Sequence, residues 1–275
     1  MQEHTAPILV TGGTGTLGRL LVGRLRDAGQ AVRVVSRRPR ENTSGVEYVV
    51  GDLGTGDGLD VALRGVRTVV HCAGSTKGDG DKARNLVRAA SAAGVSHLVY
   101  ISVVGADRIL ISGRLDRLMF GYFGSKLAAE EIVAGSGIPF TTLRATQFHD
   151  LFLLAAQQLA KLPVVPAPKD FRLQPVDADD VARRLTELAL GRPAGLVPDL
   201  GGPRTYQFSE LVREYLHASS RRRLIVQVPL PGKAAAAFRS GGNLTPDHAD
   251  GQRTWEQFLS DRLGVQLDQE AISGR

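Results

Sequence analysis

The first half of the chain alternates two patterns of hydrophobic and polar residues. Short apolar runs at 7–13, 31–36 and 67–74 predict strands, and longer segments between them repeat apolar residues at helical spacing. The clearest helix has Leu17, Leu20, Leu21, Leu25 and Ala28 on one side and ends near Gly29. Further strands are predicted at 46–53, 97–106 and 139–148, and further helices at 57–64, 81–95 and 125–137. This alternation predicts an α/β fold, a doubly wound parallel sheet with helices on both faces.

The alternation of predicted strands and helices becomes less regular after about residue 150. An apolar helix at 151–162 is followed by the proline-rich segment 163–170 and then by a short strand and a helix capped by Asp177 or Asp179. Peripheral helices are predicted at 206–216 and 231–241. We therefore predict two domains: residues 1–150 hold the doubly wound sheet. Residues 151–275 form a smaller substrate-binding lobe, some segments of which return to the first domain.

The composition of the chain limits the kinds of partner that we expect it to bind. The single cysteine, Cys72, excludes an intrachain disulfide framework, and no apolar run approaches the ~20 residues that span a bilayer. With no secretory signal evident at the N-terminus, we expect a cytoplasmic protein, a monomer or homodimer that binds no membrane. The net charge of +6 suggests an anionic partner. Basic residues cluster only at 36–40 and 220–224, outside any DNA-reading motif, so we expect a small anionic ligand and no nucleic acid. The arginine run 221–223 is interpreted as a solvated face.

A glycine-rich turn follows the first predicted strand. Residues 9–21, LVTGGTGTLGRLL, contain Gly13-x-Gly15-x-x-Gly18 and, in an overlapping frame, Gly12-x-x-Gly15-x-x-Gly18. Glycines at these positions permit a tight turn and close approach to a pyrophosphate, and the helix that follows offers free N–H groups. The alternative is a glycine-rich turn that binds nothing. We predict that the turn binds a dinucleotide through Gly12, Thr14, Gly15, Thr16 and Leu17.

The end of the second predicted strand indicates which dinucleotide. NAD-binding folds usually carry an acid here, which accepts a hydrogen bond from the ribose 2′-hydroxyl. This chain has Ser36, Arg37 and Arg38 instead. Two guanidinium groups can bind a 2′-phosphate, so the sequence favours NADP(H), although both arginines could instead be solvated.

Seven segments together resemble the short-chain dehydrogenase/reductase superfamily, which has a Rossmann fold. The resemblance is to its extended and atypical branches, and most of all to the NmrA-like group of NAD(P)H-binding reductases. The segments are TGGTGTLG (11–18), GDL (51–53), HCAG (71–74), YISVVGAD (100–107), YFGSKLAAEE (122–131), LRATQF (143–148) and LQPVDADDVA (173–182).

The resemblance implies cofactor contacts at the ends of three more strands, and it implies no metal. Asp52 could instead cap the following helix. The implied contacts are Asp52 and Leu53 beside the adenine, Ala73 and Gly74 along the cofactor, and Gln147 and Phe148 near the nicotinamide.

The resemblance also implies a catalytic pair, Tyr122 and Lys126, one helical turn apart. Lys126 would bind the nicotinamide ribose and lower the pKa of Tyr122, which would donate a proton to a carbonyl oxygen. The family's third residue is a serine after the fifth strand. Here that serine is Ser102, whereas the hydroxyl of extended relatives aligns with Val103, and this offset of one residue could turn Ser102 away.

Other residues near these motifs have more ordinary interpretations. His149 and Asp150 form a reserve acid–base pair, although a structural hydrogen bond explains His149 as well. Tyr100 and Cys72 are expected to be packing residues. The apolar insertion 106–121 is predicted to form either a lid over a bulky substrate or a surface helix. Its apolar residues are Leu110, Ile111, Leu115, Leu118 and Met119.

These features together predict an NADPH-dependent oxidoreductase, resembling a ketoreductase. It would transfer hydride to a carbonyl or quinone-type small molecule, including bulky, polyketide-like compounds. The alternative from a different class is a regulatory protein that binds NADP and senses redox state without turnover. A third is a non-redox isomerase or dehydratase on the same scaffold.

Overall fold

A computed structural model describes residues 6–74 and 78–265 of the chain. The strands are β1 (Ile8–Thr11), β2 (Val32–Ser36), β3 (Val46–Val50), β4 (Thr68–His71), β5 (His97–Val103), β6 (Phe140–Ala145), β7 (Val164–Pro168), β8 (Arg172–Leu173), β9 (Gly195–Leu196), β10 (Tyr206–Gln207) and β11 (Leu224–Val228). The helices are α1 (Thr16–Asp27), α2 (Leu59–Ala62), α3 (Asp79–Ala92), α4 (Arg114–Ala134), α5 (His149–Leu159), α6 (Ala178–Leu190), α7 (Phe208–Ala218), α8 (Lys233–Ser240) and α9 (Trp255–Leu263).

The central sheet has seven strands in the order β3-β2-β1-β4-β5-β6-β9, and every neighbouring pair is parallel. The order reverses between β1 and β4, which opens a crevice at the carboxyl ends of these strands, where ligands of such sheets bind. The prediction of a doubly wound Rossmann sheet is confirmed.

Alternate residues of β5 show how the sheet is covered on both sides. Leu98 and Tyr100 lie in a buried cluster with residues of α2, α3 and α4. Val99 and Ile101 lie in a second cluster with residues of α1 and α6. Because side chains alternate along a strand, the strand is buried on both faces, as its continuous apolar run requires.

The lobe has a third cluster, which is centred on aromatic residues. Trp255 is fully buried, stacks on Phe258 at 5.7 Å, and donates its indole N–H to the Leu211 carbonyl oxygen at 3.1 Å. Asp177 caps α6 by accepting the backbone N–H of Asp179, as predicted. Helix α6 packs against α1, and β9 extends the central sheet.

The proline-rich segment 163–170 contains a strand that the sequence did not indicate. β7 pairs in parallel with β11, with Val165 opposite Ile225. Proline normally disfavours a strand because it cannot donate to the ladder. β7 has only one neighbour among the described strands, so it tolerates Pro166 and Pro168 as an edge strand does.

Helix α4 begins at Arg114, eleven residues before the predicted start at 125. The second half of the insertion 106–121 is therefore the first two turns of the same helix that carries Tyr122. Phe120 and Phe123 hold this part of the helix against the lobe, because their ring centres lie 5.1 and 5.7 Å from that of Phe238. Of the apolar residues in the insertion, Leu110, Leu118 and Met119 are exposed and Ile111 packs on the lobe, while the side chain of Leu115 lies outside the described part. None of the described helices has the length and apolar composition to cross a bilayer.

Candidate active site

The turn between β1 and α1, residues 12–15, requires glycine, and we name it the glycine cradle. Gly12 has a φ of +70°, and a Cβ on it would lie 2.7 Å from the backbone nitrogen of Ala73. A Cβ on Gly18 would collide with the carbonyl oxygen of Gly12. The loop after β1 and the loop after β4 are therefore in direct contact, through the backbones of Gly12 and Ala73.

The amino terminus of α1 opens onto this cradle. Gly15 precedes the helix, and no side chain among the described residues caps it. The first N–H groups of a helix carry a partial positive charge and suit an anion. Thr14 is half-buried and Thr16 is exposed, so both can reach a ligand. Leu17 is buried in the core beneath, which leaves only its backbone for the contact predicted there.

The loop after β2 presents two free arginine side chains. The Ser36 hydroxyl donates to the Arg38 carbonyl oxygen at 2.8 Å and holds the loop in a turn. Arg37 and Arg38 are exposed, and within the described chain neither has a carboxylate within 4.0 Å. A guanidinium group without a protein partner is available for a phosphate.

Asp52 shapes the neighbouring loop after β3. Its carboxylate accepts the backbone N–H of Gly54 at 2.7 Å, and the residue that precedes α2 is Gly58. The alternative in which Asp52 caps this helix is therefore wrong; it holds a turn instead, because α2 starts too far along the chain. Leu53 is buried, and its carbonyl oxygen accepts a hydrogen bond from the Asn85 side chain at 2.9 Å.

Lys126 is the buried centre of the site. Only 3% of the residue is exposed, and its ammonium group donates to the Ile101 carbonyl oxygen at 3.1 Å. The nearest carboxylate oxygen, from Asp79, lies 3.7 Å away. A Cβ on Gly74 would lie 3.1 Å from Nζ, so the lysine reaches the loop after β4. Burial lowers the pKa of Lys126, and the charge of Asp79 opposes that shift.

Tyr122 and Tyr100 flank the lysine. The Lys126 nitrogen lies 5.0 Å from the centre of the Tyr100 ring and 5.7 Å from that of Tyr122, close enough for cation–π attraction. Burial raises the pKa of Tyr122, and the negative charge of Asp79 raises it further. The pKa of Tyr122 is thus raised, chiefly by burial, and is not lowered as the resemblance implies. Tyr122 therefore keeps its proton at neutral pH.

Ser102 lies on the same side of β5 as Tyr100. It is buried, and its hydroxyl finds no hydrogen-bond partner in residues 6–74 and 78–265. Strand alternation places it on the face covered by α3 and α4, from which Lys126 comes. Val103, the position that aligns with the hydroxyl of relatives, packs instead into the core of the lobe. The offset of one residue therefore keeps Ser102 on the face that carries Lys126.

Gln147 has the most unusual environment in this region. Both polar atoms of its side-chain amide are buried and lack a partner in the described structure. An unpaired buried amide is costly, so this group would gain free energy from any hydrogen-bonding partner that reached it. An amide at the end of β6 can donate to and accept from the carboxamide of a nicotinamide. Phe148 follows, precedes α5, and packs against the sheet.

His149 and Asp150 do not form the reserve acid–base pair. The His149 ring is buried between Trp255 and Phe258, at 5.9 and 4.9 Å between ring centres. Asp150 binds Arg262 at 2.8 Å. The two side chains are thus engaged with different parts of α9, and His149 is a structural residue of the lobe.

Two residues to which the sequence analysis assigned no role, Asp79 and His71, complete the polar centre. Asp79, at the start of α3, is 1% exposed and is the carboxylate closest to Lys126; its only signal was an acid in the first turn of a helix. His71 binds the Thr11 hydroxyl through Nδ1 at 2.7 Å, and burial together with the charges of Lys126 and Lys82 lowers its pKa to about 3. Burial raises the pKa of Cys72 to about 12, so this thiol is a packing residue, as predicted.

The site fits a dinucleotide along its whole length. The glycine cradle, the free arginines and the unpaired Gln147 amide follow one another along the carboxyl ends of β1, β2 and β6, with Lys126 between them. Each offers chemistry that a nicotinamide dinucleotide can use: N–H groups suit a pyrophosphate, guanidinium groups suit an anionic group, and an amide suits another amide.

Comparison with known proteins gives the same picture. The family described as NAD(P)H-binding matches residues 12–190. A (4-alkanoyl-5-oxo-2,5-dihydrofuran-3-yl)methyl phosphate reductase of Streptomyces griseus is 37% identical over 179 residues, which are 64% of this chain and 60% of that protein. Quinone oxidoreductase 2 of Escherichia coli is 27% identical over 244 residues, 86% of this chain and 82% of the relative.

Solved structures confirm the fold. The NADPH complex of the quinone oxidoreductase QOR2 from Escherichia coli superimposes with a TM-score of 0.76 at 21% identity. The superposition covers 93% of this chain and 99% of that structure. The match covers less than two thirds of the length of the first of the curated relatives.

Proposed function

Because the chain belongs to the NAD(P)H-binding family, we propose that it is an NADPH-dependent reductase of the short-chain dehydrogenase/reductase type. Its substrate is a carbonyl or quinone-type small molecule. The observation that carries the proposal is the position of the Lys126 ammonium group, 5.7 Å from the centre of the Tyr122 ring. The same group reaches the loop after β4 at Gly74 and donates to the carbonyl oxygen of Ile101, the residue before Ser102. The reductase names of the relatives support the reaction class.

Each end of the cofactor has protein groups to hold it. The N–H groups at the start of α1 bind the pyrophosphate, and Arg37 with Arg38 bind the 2′-phosphate, which selects NADPH over NADH. Lys126 binds the ribose hydroxyls beside the nicotinamide, and Gln147 binds the carboxamide. Bound NADPH supplies the hydride; the protein supplies orientation and the proton.

Tyr122 is the proton donor in this proposal. A phenol is protonated at neutral pH, so the proton is present when negative charge develops on the substrate oxygen. Burial raises the pKa of Tyr122, which opposes release of this proton. The hydride forms a C–H bond at the carbonyl carbon, the phenol proton passes to the oxygen, and solvent later returns a proton to Tyr122. Lys126 stabilises the transient phenolate, and the Ser102 hydroxyl, which has no protein partner, orients the carbonyl.

The surroundings of Tyr122 favour an apolar substrate. Its ring packs edge-on against Phe123 at 6.0 Å between ring centres, and Ile111 and Leu127 border the same core of the lobe. A wall of this kind gains free energy from aromatic or aliphatic surface on the substrate. Quinones and aromatic polyketides present such surface together with a carbonyl group.

The test is substitution of the donor. Tyr122→Phe should lower kcat for ketone reduction about 100- to 10,000-fold, the contribution of a positioned acid. NADPH affinity should be unchanged, because the phenol is not a cofactor ligand. Tyr48→Phe, a half-buried tyrosine on β3, is the matched control. Rates are measured as NADPH oxidation against ketones, quinones and aromatic polyketides, and a Tyr122→Phe protein as fast as the parent would remove this residue from the mechanism.

One observation favours a second candidate, an NADP-binding redox sensor without turnover. Lys126 already donates to the Ile101 carbonyl oxygen and lies near Asp79, so its charge is accommodated without a cofactor. A protein that binds NADPH tightly and oxidises it with none of the compounds in the panel would favour the sensor over the enzyme.

A further inference from the structure

The two-stranded sheet of the lobe has one buried face and one exposed apolar face. Val165 and Ala167 of β7 are fully buried against the core of the lobe. The alternate residues point away from that core, and the parallel register sets Leu224 opposite Val164 and Val226 opposite Pro166. The exposed set, which we name the β7–β11 face, consists of Val164, Pro166, Leu224, Val226 and Val228.

This apolar surface is continuous. Leu224 is 65% exposed and Val226 is 42% exposed, and paired strands bring them beside the valine and proline of β7. Leu162, two residues before β7, is exposed as well. Isolated apolar residues on a surface need no explanation, whereas a contiguous patch on a sheet indicates an interaction site.

Cationic side chains border the face at both ends. Lys161, Arg222 and Arg223 line one groove with Pro163 and Leu224, where both strands begin. The Arg223 side chain is held there, because its Nε donates to the Ala160 carbonyl oxygen at 3.2 Å. At the other end, exposed Lys169 follows β7, and its backbone N–H donates to the Val228 carbonyl oxygen at 2.9 Å.

The chain concentrates its positive charge in this part of the lobe. Residues 151–169 and 215–246 contain seven lysine and arginine residues and no aspartate or glutamate, which exceeds the net charge of +6 for the whole chain. The first carboxylate after β7 is Asp170. The seven residues are Lys161, Lys169, Arg221, Arg222, Arg223, Lys233 and Arg239.

We propose that the β7–β11 face docks on the surface of a membrane that contains anionic lipids. Its valine and leucine side chains enter the boundary between headgroups and acyl chains, while the arginine and lysine side chains bind the lipid phosphates. A second copy of the chain fits less well, because a self-complementary contact would bring like charges together without a carboxylate to offset them. Nucleic acid fits less well, because the centre of the face is aliphatic and offers no aromatic ring for stacking.

The test is co-sedimentation of the full chain, without cofactor, with vesicles of phosphatidylglycerol and phosphatidylcholine or of phosphatidylcholine alone. The triple substitution Arg221→Gln, Arg222→Gln, Arg223→Gln should weaken partition onto the anionic vesicles about 100-fold, as expected when three basic residues leave an anionic surface. The matched control changes three exposed arginines elsewhere, Arg64, Arg67 and Arg192, to glutamine. It removes the same charge and should partition nearly as the parent does.

A second variant tests the apolar part. Leu224→Ser with Val226→Ser should abolish the binding that survives at about 1 M salt, where screening removes the electrostatic part. Equal binding to both kinds of vesicle, equal losses in the two arginine variants, or a dimer in solution that the serine variant dissociates would each overturn the proposal. The assay needs neither NADPH nor turnover, so its result is independent of the proposed reductase activity.

Discussion

The preference for NADPH is the prediction with the sharpest readout. Arg37 and Arg38 follow β2, where the loop turns beside the glycine cradle, and both side chains are exposed and free of carboxylates within the described chain. Substituting both with alanine should not harm the fold, because neither side chain makes a hydrogen bond or an ion pair within the described residues. The loop itself is held by the Ser36 hydroxyl, which is unchanged.

The size of the effect follows from the chemistry of the contacts. A hydrogen bond to a charged group contributes about 1.5–3 kcal/mol, and exposure places these two at the lower limit, so the pair contributes about 3 kcal/mol. A factor of ten in affinity corresponds to about 1.4 kcal/mol, so Kd for NADPH should rise roughly 100-fold. NADH has no 2′-phosphate, and its Kd should change little.

The assay is titration of the parent and the double variant with each cofactor, followed by nucleotide fluorescence. Arg40→Ala is the control. Arg40 is also exposed in this loop, so its substitution removes a positive charge from the same place, but no phosphate contact is predicted for Arg40. If the double variant weakens NADH as much as NADPH, the two arginines act through the fold or the general field of the protein, and the 2′-phosphate assignment is refuted.

Two further predictions concern stability. Gly18→Ala should lower the free energy of unfolding by about 1–3 kcal/mol, because the new Cβ collides with the Gly12 carbonyl oxygen. In the same helix, a Cβ on Gly23 meets no atom within 4 Å, so Gly23→Ala should raise the free energy of unfolding by about 0.5–1 kcal/mol. The urea midpoints of the two variants should therefore move in opposite directions. His71 has a folded pKa of about 3, below its unfolded value, so the unfolded chain binds a proton first as pH falls below about 6.5 and stability should drop by up to ~1.4 kcal/mol per pH unit. His71→Gln should flatten this dependence in urea unfolding between about pH 4.5 and 7, and an unchanged slope would show that other groups cause it.

The sequence predicts the central sheet well because each strand and helix there carries its own periodic signal. The turn at Gly12 to Gly18 and the absence of an acid after β2 are local features, and they needed no tertiary information. The pair of Tyr122 and Lys126 was also visible, since residues four apart on a helix share a face.

The rest depends on contacts between distant segments. The first two turns of α4 are hard to recognise, since Gly121 and Gly124 weaken the helical pattern and Phe120 is buried only because Phe238 of the lobe covers it. β7 is hidden by its prolines, and its partner lies almost sixty residues away. The pKa of Tyr122 is raised by burial and then by Asp79, and both causes arise only when the fold brings other segments against this helix.

The exposed arginines and the rigid glycine turn divide cofactor capture into two kinetic stages. Solvent-facing guanidinium groups act at a distance and accelerate encounter with an anion, so their contribution should appear in the association rate and fade with ionic strength. The turn, locked by the contact between Gly12 and Ala73, acts only once the pyrophosphate is seated, so its contribution should appear in the residence time. A salt-insensitive off-rate beside a salt-sensitive on-rate is the expected signature of such an arrangement.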